Sequence, residues 1–221
     1  MITEVNLIGI TPEVIQDKDF VKIKDSFESR LDLLILRFKN KKEFKNFRKK
    51  VQIIFQDPYG SLNPRMTIGN IISEPLEIYK KDNDKKLKTL KVLDIMEKVG
   101  LSDLLFNRFP HELSGGQCQR VGIARSIINE PDVLICDEPV SSLDLSVQSQ
   151  ILDLLKSLKN KLNITMVFVS HDLAVVKSIS DEVMVLKQGE IVEKNSAEQV
   201  FNNPNDEYLS LIHISEPTRP Y

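Results

Sequence analysis

The sequence is short of the features that mark secreted, membrane-spanning or nucleic-acid-coating chains. Only two cysteines, Cys118 and Cys136, occur in 221 residues. That is too few for a disulfide framework or a zinc site, and both are expected as reduced thiols in the cytoplasm. No run of about 18 apolar residues exists, so no segment reads as a membrane span. The opening MITEVNLIGITPEV lacks the basic start and long apolar stretch of a secretory signal. Thirty Lys plus Arg against 32 Asp plus Glu give a net charge of −2, which argues against a general nucleic-acid binder with its usual basic excess. What remains is an ordinary balance, 41% hydrophobic and 28% charged. It suits one globular domain of about 150–220 residues with a sizeable core.

Residues 1–50 are the least regular part. An apolar cluster, LDLLIL (Leu31–Leu36), precedes RFKNKKEFKNFRKK (Arg37–Lys50), with eight basic residues, one acid and Phe38, Phe44 and Phe47 interleaved. That pattern fits a basic amphipathic helix at a membrane surface or on RNA, and equally a helix whose charged face is simply in water. From Val51 the pattern is regular. VQIIF (Val51–Phe55) reads as a buried strand and DPYGSLNP (Asp57–Pro64) as a loop. Lys86–Gly100 has helical spacing with Gly100 as its stop, and Val121–Asn129 is a further helix candidate. VLIC (Val133–Cys136) is a strand, Gln148–Leu158 a helix, and TMVFVS (Thr165–Ser170) a strand with a helix after it. Glu182–Lys194 reads as a hairpin turning at Gln188-Gly189. Strands alternating with helices predict an α/β fold with a mostly parallel sheet, interrupted between Ile68 and Glu112 by a helical subdomain.

The chemistry concentrates at strand ends. VLICDE delivers Asp137 and Glu138 to the C-terminal edge of a strand, where open α/β sheets bind ligands. Asp137 is placed to hold Mg²⁺, a task for carboxylate oxygen, and Glu138 to orient or deprotonate an attacking water. Alone, such a strand end is common. Upstream, however, LSGGQ (Leu113–Gln117) precedes a helix, so that its backbone N–H groups face outward at the positive end of the dipole, a place for phosphate oxygens. SSLD (Ser141–Asp144) follows the acids, Ser170-His171-Asp172 ends a later strand, and Gln56 ends the first one.

In this order and spacing Gln56, LSGGQ, VLICDEP, SSLD and SHD resemble the ATP-binding subunit of an ABC transporter, over roughly Val51 to Phe201. FQDPYGSLNPRMTIGNIISEPL (Phe55–Leu76) further resembles the oligopeptide/dipeptide importer branch, which also includes nickel and glutathione importers. The resemblance implies an ATPase with a P-loop NTPase-like core, using ATP and Mg²⁺. It pairs head to tail with a second ABC ATPase subunit and docks on transmembrane permease subunits at the cytoplasmic face of the membrane, without nucleic acid. It implies catalytic roles for Glu138, His171 and Gln56, and Mg²⁺ contacts for Asp137 and Gln56. Ser114, Gly115, Gly116 and Gln117 correspond to the signature that caps nucleotide bound to the opposite subunit, and Asp144 to the aspartate at the dimer seam.

One part of that machinery is missing. The eight glycines are Gly9, Gly60, Gly69, Gly100, Gly115, Gly116, Gly122 and Gly189, and none is followed by Lys-Ser or Lys-Thr. The GxxxxGK[ST] loop that cradles phosphates is therefore absent. VNLIGITPEV (Val5–Val14) resembles family sequence lying between that loop and the Gln56 strand, so residue 1 is expected to be an internal start. The expected layout is a remnant and insertion over about 1–50 and an ATPase domain over about 51–210, its helical subdomain at about 68–125. A disordered or non-native tail is expected over about 211–221. Cys118 stands where the family usually has arginine or lysine, and Asn195 where glycine is common. Three functional readings follow. The chain is an importer ATPase fragment with impaired activity, a degenerate subunit lending LSGGQ in trans to an intact partner, or an ABC ATPase acting on DNA or ribosomes. The last fits least, because neither a coiled-coil insertion nor a tandem domain is present.

Overall fold

The structure, a computed structural model, describes residues 5–10, 41–79, 84–187 and 190–205. The LDLLIL cluster, the insertion before residue 41, the Gln188-Gly189 turn and the 211–221 tail lie outside the described residues. The chain divides into two compact units, 37–166 and 1–36 together with 167–221. Each is taken by itself.

In the unit spanning 37–166, the basic stretch forms helix α1 (Lys41–Lys50), which runs directly into strand β2 (Val51–Ile54). β2 pairs in parallel with β3 (Val133–Asp137), Val51 opposite Val133 and Ile54 opposite Cys136. Ile54, Val133, Leu134 and Cys136 are buried, as expected for short apolar runs inside a parallel pairing. A parallel pair needs a crossover. Here it is helical: α2 (Ile68–Ile78), α3 (Lys85–Lys98) and α4 (Gly115–Ile127), with 3₁₀ turns at Asp103–Leu105 and Pro110–Glu112.

The crossover helices share a core. Ile68, Ile71, Ile72 and Leu76 line one stripe of α2, and Val92, Ile95 and Met96 one stripe of α3; all seven are buried. Each such side chain contributes about 1.5–3 kcal/mol relative to exposure. Asp84 caps α3 by accepting from the backbone N–H groups of Lys86 and Leu87. Gly100 ends it in the left-handed conformation, at φ +71°. The Gly100 N–H reaches Glu97 O and the Leu101 N–H reaches Met96 O, the paired bonds of a Schellman stop. The glycine anticipated as the helix stop is thus the residue that makes it. α5 (Leu145–Leu162) buries Ile151, Leu155 and Leu158 and closes on Asn163, also left-handed at φ +53°.

The other unit receives strand β4 (Thr165–Ser170) from Val167 onward. It contains β1 (Val5–Ile10), α6 (Leu173–Ile179), β5 (Glu182–Lys187), β6 (Glu190–Ser196) and α7 (Ala197–Asn202). β1 pairs antiparallel with both neighbours, Leu7 opposite Ser170 on β4 and Ile8 opposite Met184 on β5. β5 and β6 form the expected hairpin, with a register shift at Val185/Leu186. Leu173, Val176, Val183, Val185, Val200 and Phe201 make its core. The fold class is α/β. The parallel pairing of β2 and β3 follows from the strand–helix alternation, whereas the antiparallel placement of β1 has no signal in its own six residues.

Candidate nucleotide site

The two acids sit where β3 ends. Asp137 is the last residue of the strand and is exposed; Glu138 follows it, half-buried, with a left-handed backbone at φ +44°. For a non-glycine residue that conformation costs about 1–2 kcal/mol. Such strain collects at functional sites where the surroundings over-determine it. Here the Ser141 N–H and Ser141 Oγ both donate to Glu138 O, at 3.3 and 3.1 Å. Partial desolvation at the strand end, and secondly the charge of Glu138, push the Asp137 carboxyl above the usual carboxylate range.

Gln56, just beyond the end of β2, comes to the same place. Its Nε2 donates to Glu138 Oε2 at 2.8 Å, and Ser142 Oγ donates to Gln56 O at 3.4 Å. The parallel register of β2 and β3 is what brings these strand ends side by side. Four expected or neighbouring groups, Gln56, Asp137, Glu138 and the serines of SSLD, therefore form one polar cluster.

Ser114 is the N-cap of α4. Its Oγ accepts from the Gln117 N–H at 3.3 Å, while Gln117 Oε1 accepts from the Ser114 N–H at 3.0 Å. This reciprocal box leaves the first-turn N–H groups of Gly115 and Gly116, which have no intrahelical acceptor, at the positive helix end. The turn leading in is fixed too: Glu112 accepts from the Phe109 N–H at 2.7 Å and from Arg108 at 2.8 Å. Those bonds hold its carboxyl below the usual range, the backbone bond first. The two glycines are not equivalent. A Cβ on Gly116 would meet Val147 Cγ1 at 2.6 Å, whereas one on Gly115 would find only ordinary contacts with Leu143 and Tyr59. Packing against α5 therefore accounts for Gly116.

Asp144 is the N-cap of α5, with extended backbone and no side-chain cap bond. His171 lies in the other unit, exposed, directly after β4, ahead of Asp172, which caps α6 through the Ala174 and Val175 N–H groups. Sequence reasoning passed over Tyr59, whose hydroxyl donates to Leu113 O at 3.1 Å and so ties the loop after Gln56 to the LSGGQ turn. The only available signal was a tyrosine in a turn-rich loop.

The arrangement can be tested for fit to the groups it would bind. Mg²⁺ keeps several waters and takes one or two carboxylates plus substrate phosphates, not a full protein cage. No group of three or more His, Cys, Asp or Glu suited to a metal occurs among the described residues. One exposed carboxylate with raised proton affinity beside a second acid, together with a glutamine amide, fits that sparse mode. A cation there would relieve the Asp137–Glu138 repulsion. The N-terminus of α4 fits phosphate oxygens.

A strand-end acid pair, a glutamine just past the neighbouring strand and a serine-capped GGQ helix are the arrangement of an α/β domain of the ABC type. The sequence model described as ABC transporter matches residues 21–141, and the chain belongs to that family. It is 50% identical over 186 residues to the oligopeptide transport ATP-binding protein OppF of Haemophilus influenzae, covering 82% of this chain and 56% of that protein. To OppF of Escherichia coli K12 it is 49% identical, covering 79% and 54%. To the dipeptide transport ATP-binding protein DppF of Haemophilus influenzae it is 50% identical, covering 77% and 52%. The chain thus spans just over half the length of these relatives. Among solved structures it resembles cbiO1 of Clostridium perfringens, part of the ABC transporter complex cbiONQ, with TM-score 0.66, 28% identity, and coverage of 80% and 68%. It also resembles the ATP-binding cassette MJ0796, solved as a dimer in a post-hydrolysis state with ADP and Pi, with TM-score 0.62, 29% identity, and coverage of 72% and 68%.

Proposed function

We propose that the chain is the ATP-binding and hydrolysing subunit of an importer for oligopeptides, dipeptides or a related small solute. It works at the cytoplasmic face of a membrane with a second ABC ATPase subunit and transmembrane permease subunits. The observation that carries this reading is the 2.8 Å bond from Gln56 to Glu138, because it joins the end of one strand to the carboxylate best placed to activate water. The oligopeptide and dipeptide names of the relatives support the cargo class, and the dimeric state of one structural neighbour supports the paired assembly. No helix among the described residues is long and apolar enough to cross a membrane.

Glu138 accepts at a carboxylate oxygen the proton of the attacking water. Gln56 fixes that carboxylate through its amide nitrogen and keeps its amide oxygen as the end able to meet a cation. Asp137 would hold Mg²⁺, which when bound supplies charge neutralisation on the phosphates. Ser114 and the first-turn amides of α4 would bind phosphate oxygens of nucleotide held by the partner subunit, Asp144 would lie at the subunit seam, and His171 would contact the terminal phosphate.

The test is ATP hydrolysis by an equimolar mixture of this chain with an intact ABC ATP-binding subunit. Turnover above that of the partner alone, lost on Ser114→Arg in this chain, is expected. A mixture no faster than the partner alone overturns the reading.

A further inference from the structure

Helix α4 does a second task beyond presenting LSGGQ. Two residues past the motif, Gln119 is 1% exposed, set among the buried Cys118, Val121 and Gly122. An amide in such surroundings must find a partner. Gln119 Nε2 donates to Pro139 O at 2.7 Å, on the loop immediately after Glu138. A second glutamine grips the same loop from a different helix. Gln148, half-buried on α5, donates through Nε2 to Val140 O at 3.0 Å and to Leu143 O at 3.1 Å. Two side-chain amides from two helices thus hold three of the carbonyls between Glu138 and Asp144.

What they hold is strained. Glu138 sits at φ +44°, a conformation that a non-glycine residue keeps only when its neighbours leave no other choice. Release of Pro139 or Val140 would let Glu138 relax to an ordinary backbone angle and swing its carboxylate away from Gln56. Neither glutamine touches Glu138 itself.

We propose that Gln119 and Gln148 are positioning residues for Glu138: by tying the backbone of residues 139–143 to α4 and α5, they keep its carboxylate turned to Gln56. The catalytic consequence rests on the function proposed above, whereas the backbone consequence does not.

The experiment measures amide hydrogen exchange on the full chain carrying Gln119→Met or Gln148→Met, near-isosteric changes that remove the side-chain amide and with it the bonds to these carbonyls. Alongside it, ATP turnover is measured in an equimolar mixture of an intact ABC subunit with the same chain carrying, ahead of residue 1, the GxxxxGK[ST] segment of an ABC relative, so that nucleotide is held at the site of Glu138. Residues 137–144 exchange about tenfold faster in either variant, the factor that one ordinary hydrogen bond sets on a local opening, while α3 keeps its wild-type protection. The turnover number falls about 10- to 100-fold with KM for ATP within about twofold, as misplacement of a reacting group without loss of binding requires. If Gln119→Met fails to fold, Gln148→Met at its half-buried site carries the same test. Wild-type exchange over 137–144 in the variants overturns the proposal, and so does faster exchange with an unchanged turnover number. If the unmutated mixture shows no added turnover, the proposed function falls, and exchange over 137–144 alone decides whether the glutamines hold the loop.

Discussion

The amide nitrogen of Gln56 and the Oε2 of Glu138, 82 positions apart in the chain, lie 2.8 Å from each other. Replacing Gln56 by Ala removes that hold and is expected to lower turnover in the paired assembly by about tenfold, the scale of one hydrogen bond to a charged group. Gln56→Glu goes further, because a second carboxylate against Glu138 raises the pair's proton affinity. The acid limb of its pH–turnover profile shifts to higher pH, which steady-state assays from pH 5 to pH 9 read directly.

The two signature glycines separate in a stability measurement. Gly116→Ala places a methyl 2.6 Å from Val147 Cγ1, and overpacking of this kind costs about 1–3 kcal/mol. Gly115→Ala meets only ordinary contacts and changes stability by less than about 1 kcal/mol. Urea unfolding shows both, and Gly116→Ala combined with Val147→Ala regains most of the loss, because the two sites share one contact.

Asp137 gives stability a pH dependence of definite sign. Partial burial and Glu138 raise its folded-state pKa above the ordinary carboxylate value of 3.8, so the folded chain binds the proton more tightly than the unfolded chain. That contribution is fully present below about pH 3.8 and is lost as pH rises through the folded value. Asp137→Asn, free of this penalty, therefore melts at a higher temperature than the parent at pH 7, and the difference closes as pH is lowered below about 4. Thermal melts from pH 3.5 to pH 7.5 follow it.

The two thiols are inert. Cys118 Sγ donates to Pro110 O at 3.5 Å; burial pushes its pKa up to about 11 and pushes that of the fully buried Cys136 higher still. Alkylation of the folded chain with iodoacetamide at pH 8 is expected to run at less than about one hundredth of the rate of an exposed thiol, with both sites reacting at once in denaturant.

Legibility followed how each element is held. β3 and its acids were readable because a four-residue apolar run needs burial and the acids mark where it ends. α5 was expected from Gln148 but begins at Leu145, because its first turn presents a 76% exposed leucine and a cap without a side-chain bond, leaving no periodic signal. α4, read as a helix following LSGGQ with Val121–Asn129 as its regular part, begins inside the motif at Gly115. Two glycines hide a helix start on propensity, and the telling pattern was Ser114 followed three residues on by Gln117. The cluster of Gln56 with Glu138 depends on the register of β2 against β3, which no local pattern encodes. The grip of Gln119 and Gln148 is likewise invisible in sequence, since a glutamine bound to a carbonyl reads the same as one in water. Asn129, expected at a helix end, is buried, and neither of its amide atoms has a partner among the described residues, a place suited to ordered water.

The account stands on Glu138 as the group that takes the proton of the attacking water. Its most direct measurement is single-turnover ATP hydrolysis by an intact ABC subunit mixed with this chain carrying, ahead of residue 1, the GxxxxGK[ST] segment of an ABC relative, which gives the site of Glu138 a phosphate cradle; the parent is compared with its Glu138→Gln form. ATP-dependent association of the two chains is expected to survive, while hydrolysis at the site of Glu138 falls at least about 100-fold, the scale of a lost general base. Added hydrolysis at the parent rate would contradict it.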